Sequence, residues 1–176
     1  MSNILVLYST NDGHTLKICK HIERVLESKN ETVTLLSIDN ENAVDLAGFD
    51  KIVVGAAIRY GRHSKKIIKF INTNQSTLDA KPNAFFSVNL VARKPEKAEP
   101  ETNPYLVKFL KRIAWKPKNL AVFAGKVDYP RYNYFDRLVI RFIMKMTNGP
   151  TDPKTTIEYT DWDKVERFGE KIGEMT

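Results

Sequence analysis

The sequence predicts an α/β fold: a three-layer sandwich with a five-stranded parallel sheet, helices on both of its faces, and a fifth strand interrupted by a long insertion. Three observations predict it. Short apolar runs, each the length of one strand, alternate with stretches of helical periodicity. Several of these runs are apolar at successive positions rather than alternate ones, as strands covered on both faces require. One segment, residues 126–154, breaks the alternation, yet no linker-like composition divides the chain. The 176 residues therefore read as a single domain, 1–176, with that insertion inside it.

Residues 3–8 form the first strand. A helix over 14–28 follows, with Leu16, Ile18, Cys19, Ile22, Val25 and Leu26 at near-helical spacing. Val33, Leu35, Leu36 and Ile38 mark strand two, and 45–49 a short helix or turn. Residues 51–56 are a third, buried strand. A helix over 63–72 turns Ile67, Ile68, Phe70 and Ile71 inward. Strand four covers 84–88, a long basic loop runs from 89 to about 102, and 104–115 is helical. Residues 120–125 are strand five. After the insertion, 155–160 is again extended, and a last helix spans 161–175 with Asp161 as its N-cap.

Composition narrows the function classes. The formal charge is +7, an excess that suits nucleic acid, an anionic membrane surface or an anionic substrate. No nucleic-acid motif is present, and the basic residues gather near loops rather than in one long stripe, so a nucleic-acid partner is not expected. Cys19 is the only cysteine; an internal disulfide is excluded and a reducing compartment is expected. The first apolar run is too short for a signal peptide, and no run reaches about 18 residues, the length of a spanning helix. Membrane contact would be peripheral.

In a doubly wound sheet, ligands bind beyond the carboxyl ends of the strands, near the switch in strand order. Three loops end there. The first, Ser9, Thr10, Asn11, Asp12, Gly13, His14 and Thr15, joins a buried strand to a helix. Its hydroxyls and amides, with the positive end of the helix dipole, suit a phosphate. The same residues suit an ordinary turn with Thr15 as a cap, so the loop alone leaves both readings open. It is neither a Walker loop nor a dinucleotide fingerprint. The second loop is Ala57, Ile58, Arg59, Tyr60, Gly61 and Arg62, in which Tyr60 suits stacking and Arg59 an anion, unless both are merely solvated. The third, from Ser87, Val88, Asn89, Leu90 and Val91 on, carries Arg93, Lys94 and Lys97.

The insertion opens with Tyr129, Pro130, Arg131 and Tyr132 and continues as a helix from Phe135 to Met146. Arg137, Arg141 and Lys145 recur at every fourth position, and most of the other positions are large and apolar. A helix apolar around most of its circumference is buried, paired with a partner or placed against lipid. Cationic as well as apolar, this one suits the surface of an anionic membrane.

The ending Gly13-His14-Thr15 resembles the phosphate loop of flavodoxins, although Asp12 departs from the Thr usual there; its carboxylate is expected to order the loop backbone. Longer stretches resemble one family of that fold: Tyr8 to Thr15, Gly55 to Gly61, Tyr129 to Tyr132 with Asp136-Arg137, Ile143 to Met146, Tyr159 to Trp162 and, most specifically, Phe86-Ser-Val-Asn-Leu-Val-Ala-Arg-Lys-Pro-Glu-Lys97. These look like the quinone-dependent protoporphyrinogen IX dehydrogenases of bacterial haem synthesis. The resemblance covers nearly the whole chain, and Asp12 fits it. It implies a flavodoxin-like fold, FMN as cofactor, and removal of six electrons from protoporphyrinogen IX with menaquinone or ubiquinone as acceptor. The place it implies is the cytoplasmic face of the bacterial inner membrane. Residues 9–15 would hold the FMN phosphate, while 57–61 and 87–91 would frame the flavin. Arg59, Arg93, Lys94, Arg131, Arg137, Arg141 and Lys145 become candidates for propionates or lipid headgroups. An electron carrier of flavodoxin type is the alternative, and a homo-oligomer stays open.

Overall fold

The structure, a computed structural model, describes residues 1–40 and 44–176. Five parallel strands form the main sheet: β1 (Asn3–Ser9), β2 (Thr32–Ser37), β3 (Lys51–Arg59), β5 (Asn83–Asn89) and β6 (Asn119–Ala124), in the order β2-β1-β3-β5-β6. A two-residue β4 (Arg62–His63) folds back antiparallel on β3, Arg59 opposite Arg62. Tyr60 and Gly61 form its tip with φ of 49° and 73°. Two successive residues at positive φ make the tight hairpin that matches strand twist. The short strand makes the sheet six-stranded, one more than the sequence predicts.

The sheet is buried on both faces, so each strand sends alternate residues to opposite cores. Ile4 and Val6 pack with Ile18, Ile22, Phe123 and Phe168 under helices α1 (His14–Ser28) and α6 (Trp162–Gly173). Leu5 and Leu7 pack with Ile67, Phe85, Phe109 and Trp115 under α2 (Lys65–Thr73), α3 (Gln75–Ala80) and α4 (Pro104–Leu110). Gly55 of β3 lies beside Phe86 of β5 in the register. A Cβ on Gly55 would meet the Phe86 ring at 2.1 Å, so only glycine fits under that ring. Asp161 caps α6 as expected, its carboxylate accepting from the Lys164 amide at 3.0 Å. The helix expected over 104–115 is shorter, ending at Leu110.

The insertion corrects one expectation. Residues 155–160 do not return to the main sheet as a second half of its fifth strand. Beyond Gly125 the chain runs on as β7 (Lys126–Asp128), and β8 (Thr156–Glu158) pairs antiparallel with β7 in a separate ribbon. Between them lies α5 (Tyr134–Met146), capped by Asn133. A small core of Val127, Tyr129 and Met144, with Leu90, Ile140 and Tyr159 against it, ties the insertion down.

The strand order reverses between β1 and β3. The carboxyl ends of β1, β3, β5 and β6 lie in register on one side of the sheet: Ser9 opposite Ala56, Ala57 opposite Val88, and Asn89 opposite Ala124.

Candidate functional site

The three loops singled out in the sequence meet in one cleft of about 420 Å³ at that edge, within the range of small-molecule sites. Asn11, Asp12, His14 and Thr15 line it from the first loop, Ala57 to Gly61 from the second, and Val88 to Val91 from the third. Ser9 and Ser87 are buried at their strand ends beneath the loops. Thr10 and Gly13 do not line the cleft; Gly13 borders an adjoining hollow of about 130 Å³ with Lys17, Lys126 and Arg131.

The first loop is held by its own hydrogen bonds at the amino end of α1. Gly13, at φ 86°, caps α1 without any side-chain cap. Its amide donates to Thr10 Oγ1 at 3.0 Å, which leaves the Thr10 hydroxyl proton free to donate. Asp12 Oδ1 accepts from the His14 amide at 3.3 Å, so this carboxylate orders the loop backbone. Thr15 is buried, and its hydroxyl has no hydrogen-bond partner among the described residues. An unpaired buried hydroxyl costs roughly 1–3 kcal/mol, and an acceptor placed in the loop removes that cost. Burial lowers the pKa of His14 below its ordinary value, a shift that the Glu158 and Asp12 carboxylates oppose.

Behind the third loop lies a buried polar network. Asn89 and Asn103 exchange side-chain amide hydrogen bonds, at 3.3 and 3.1 Å. Asn89 Oδ1 also accepts from the Ala92 amide, which fixes the turn over residues 90–93. Ser87 Oγ meets His63 Nε2 at 2.9 Å. Burial pushes the His63 pKa down to about 3, so the ring is neutral.

The cleft also has a wall that sequence reasoning missed. Val139, Ile140 and Ile143, on the inner face of α5, line it together with Asp136 and Lys126. Asp136 receives Arg59 at 3.0 Å and the Tyr60 hydroxyl. The spacing Asn133-x-x-Asp136 is a helix-start signal that could have placed Asp136 in the first turn of α5. No local pattern could supply its partner, which lies 77 residues away.

The basic candidates do not share one placement. Arg93 does not face the cleft: it donates to Leu90 O and Thr147 O, each at 3.0 Å. Arg137 donates to the carbonyls of Tyr129 and Tyr132, so it braces the insertion rather than waiting for a ligand. Arg141 donates one hydrogen bond to Thr151 O but stays exposed, as does Lys145. Lys94 is half-buried and outside the cleft. Arg131 lines the cleft and stays largely exposed, 3.9 Å from Asp128. Arg59 and Tyr60 are engaged with Asp136 instead of standing free.

The outer face of α5 carries apolar side chains beside Arg141 and Lys145. Tyr134, Phe135, Leu138, Phe142 and Met146 are exposed, Phe142 by 64% and Met146 by 70%. Among the described residues no helix is long and apolar enough to cross a membrane, and no cluster of side chains could hold a metal.

A family model described as a flavodoxin domain matches residues 5–154. A Leishmania major protein named protoporphyrinogen IX dehydrogenase (quinone) is 47% identical over 165 residues, 93% of this chain and 71% of that protein. The protein of the same name from Escherichia coli K12 is 40% identical over 172 residues, 98% of this chain and 95% of that one. Among solved structures, two-electron-reduced Megasphaera elsdenii flavodoxin has a TM-score of 0.59 at 12% identity, covering 97% of this chain and 98% of that one. Oxidised flavodoxin 1 from Bacillus cereus has a TM-score of 0.56 at 16% identity, covering 97% of each. At such identities these two likenesses speak for the fold alone.

Proposed function

This chain belongs to the flavodoxin-domain family, in its branch of quinone-linked protoporphyrinogen IX dehydrogenases, and from that premise we propose that it is an FMN-dependent enzyme oxidising protoporphyrinogen IX to protoporphyrin IX at a membrane surface. The observation that carries the reading is identity of 40% and 47%, over nearly all of this chain, to proteins of that name. The unpartnered Thr15 hydroxyl in an anion cradle at the head of the cleft supports the cofactor.

The residues fit FMN. Thr10, Thr15 and the loop amides offer donors to its phosphate, above the amino end of α1. Residues 57–61 and 88–91 supply the walls for its ring system, with Ser87 buried beneath them. When bound, FMN supplies the redox chemistry, taking electrons in pairs. The overall reaction transfers six electrons and six protons from one protoporphyrinogen IX to three quinones. The chain's own part is to bind, orient and exclude water. Val139, Ile140 and Ile143 give the macrocycle an apolar wall, and Arg59, Lys126 and Arg131 give its propionates cationic neighbours. No protein base is invoked for the protons.

The acceptor we propose is menaquinone or ubiquinone, and the place a peripheral one, on the cytoplasmic face of a bacterial inner membrane. The outer face of α5 supports this. Its exposed apolar side chains flank the exposed cations Arg141 and Lys145, the composition of a helix lying in an anionic interface. Anaerobic turnover of protoporphyrinogen IX by the FMN-loaded protein, followed by porphyrin fluorescence, tests the reading. Porphyrin is expected to form only after a quinone is added. Equal rates without quinone would overturn it.

A further inference from the structure

We propose that Asp136 is an internal stand-in for a substrate carboxylate: Arg59 and Tyr60 form a carboxylate site, and a propionate of the incoming substrate displaces Asp136 from it. The proposal rests on the functional reading above and deepens it by naming how an acidic substrate is recognised.

The geometry is that of a carboxylate receptor already filled. Arg59 donates through a terminal guanidinium nitrogen to Asp136 Oδ2 at 3.0 Å. The Tyr60 hydroxyl donates to Oδ1 of the same carboxylate. Two donors on adjacent residues thus take one oxygen each. The hairpin holds them in place, because Tyr60 and Gly61 at its tip are both at positive φ and Arg59 is paired with Arg62. Arg59, Tyr60 and Asp136 all line the cleft, next to the apolar wall of α5.

Two observations make the occupant exchangeable. The side chains of Arg59 and Asp136 are 48% and 17% exposed, so water reaches the ion pair from the arginine's side and weakens it. Asp136 is also not stranded when it lets go. Oδ2 accepts from Asn133 Nδ2 at 2.8 Å as well, and the carboxylate sits in the first turn of α5, where the helix dipole favours a negative charge. Arg93 and Arg137 differ in kind, since they hold main-chain carbonyls that no ligand can replace without opening the chain. A propionate offers Arg59 and Tyr60 the same two oxygens that Asp136 does. The exchange at the carboxylate is close to even, and contact between the macrocycle and Val139, Ile140 and Ile143 drives it. An esterified propionate has no charge to exchange and leaves Asp136 in place.

The test compares protoporphyrin IX with its dimethyl ester as ligands of the FMN-loaded protein, read by porphyrin fluorescence anisotropy. The wild type is expected to bind the diacid more tightly than the ester. Asp136→Asn should tighten the diacid about threefold to fivefold, the worth of an exposed ion pair, and leave the ester unchanged. Arg59→Gln and Tyr60→Phe should each weaken the diacid alone, and they decide the matter if Asp136→Asn does not fold. Weaker diacid binding in Asp136→Asn, or equal changes for both ligands, would make Asp136 a plain brace and overturn the proposal. Equal binding of both ligands by wild type and Arg59→Gln, with quinone-dependent turnover intact, would overturn it and spare the functional reading. No binding of either ligand, with no turnover, would remove both.

Discussion

His14 is tethered to Thr160, its Nε2 2.7 Å from the hydroxyl oxygen, while that hydroxyl sits 2.7 Å from the Ala124 carbonyl. The Thr160 proton goes to the carbonyl, so His14 must donate from Nε2. One chain of hydrogen bonds thereby joins the anion cradle, the end of β6 and the segment after β8.

Thr160→Val should therefore disturb the cradle from outside it. The change strands the His14 N–H and the Ala124 carbonyl, at a cost of about 1–3 kcal/mol. Melting temperature should fall, and FMN affinity should fall with it, although no group facing the phosphate has changed. Flavin titration with unaltered affinity would show that the tether does not position the loop.

Thr15→Val should have the opposite signature. The hydroxyl has no partner among the described residues, so the apoprotein should melt no lower than wild type, and higher if burial of the unpaired group is relieved. FMN affinity should drop by about tenfold or more, the loss of one hydrogen bond to an anion. Apoprotein calorimetry beside flavin titration checks both halves.

His63 gives a prediction in pH. Its folded pKa of about 3 lies below the ordinary 6.5, through burial. The unfolded chain therefore binds the extra proton first. The stabilising contribution is complete above pH 6.5 and is lost as pH falls from there toward about 3. Within that window the loss approaches about 1.4 kcal/mol per pH unit. In urea unfolding at several pH values, the stability difference between wild type and His63→Phe should shift with that slope. Subtracting the two proteins cancels the carboxylates that titrate in the same range. A flat difference would refute the assignment.

The outer face of α5 calls for a cleaner test than reversing its cations, because Arg137 braces the insertion from within and Arg141 also donates to the chain. Leu138→Asp with Phe142→Asp alters two exposed apolar positions and no hydrogen bond named above. Each lost apolar anchor is worth about 1.5 kcal/mol or more, so sedimentation with anionic liposomes should fall by at least about tenfold. FMN binding should stay unchanged. Undiminished sedimentation would assign that face to another protein surface or to a second copy of the chain.

The sheet was legible because strands covered on both faces are nearly continuous apolar runs, and Ile4 to Leu7 needs no partner to declare itself. The loops at 9–15, 57–61 and 87–91 were legible because strand order forces carboxyl ends together. Thr156 to Glu158 were not: three exposed residues carry an extended pattern but nothing that says which strand they join. Arg93 and Arg137 misled because a guanidinium has the same sequence signature whether it waits for an anion or holds a carbonyl. Asp136 stood out only as part of a resemblance, without a role, because its partners Arg59 and Tyr60 are brought near only by the fold.

Helix α5 is a partition one helix thick, about 10 Å with its side chains, between the cleft and the outside. One end is tied by Asp136 to the hairpin, the other by Arg93 to Thr147. Both ties are charge-assisted, and between them Arg137 and Arg141 add bonds to main-chain carbonyls beside the apolar contacts of Ile140 and Met144. Salt therefore weakens the tie at the hairpin, where the Arg59 side chain is half-exposed.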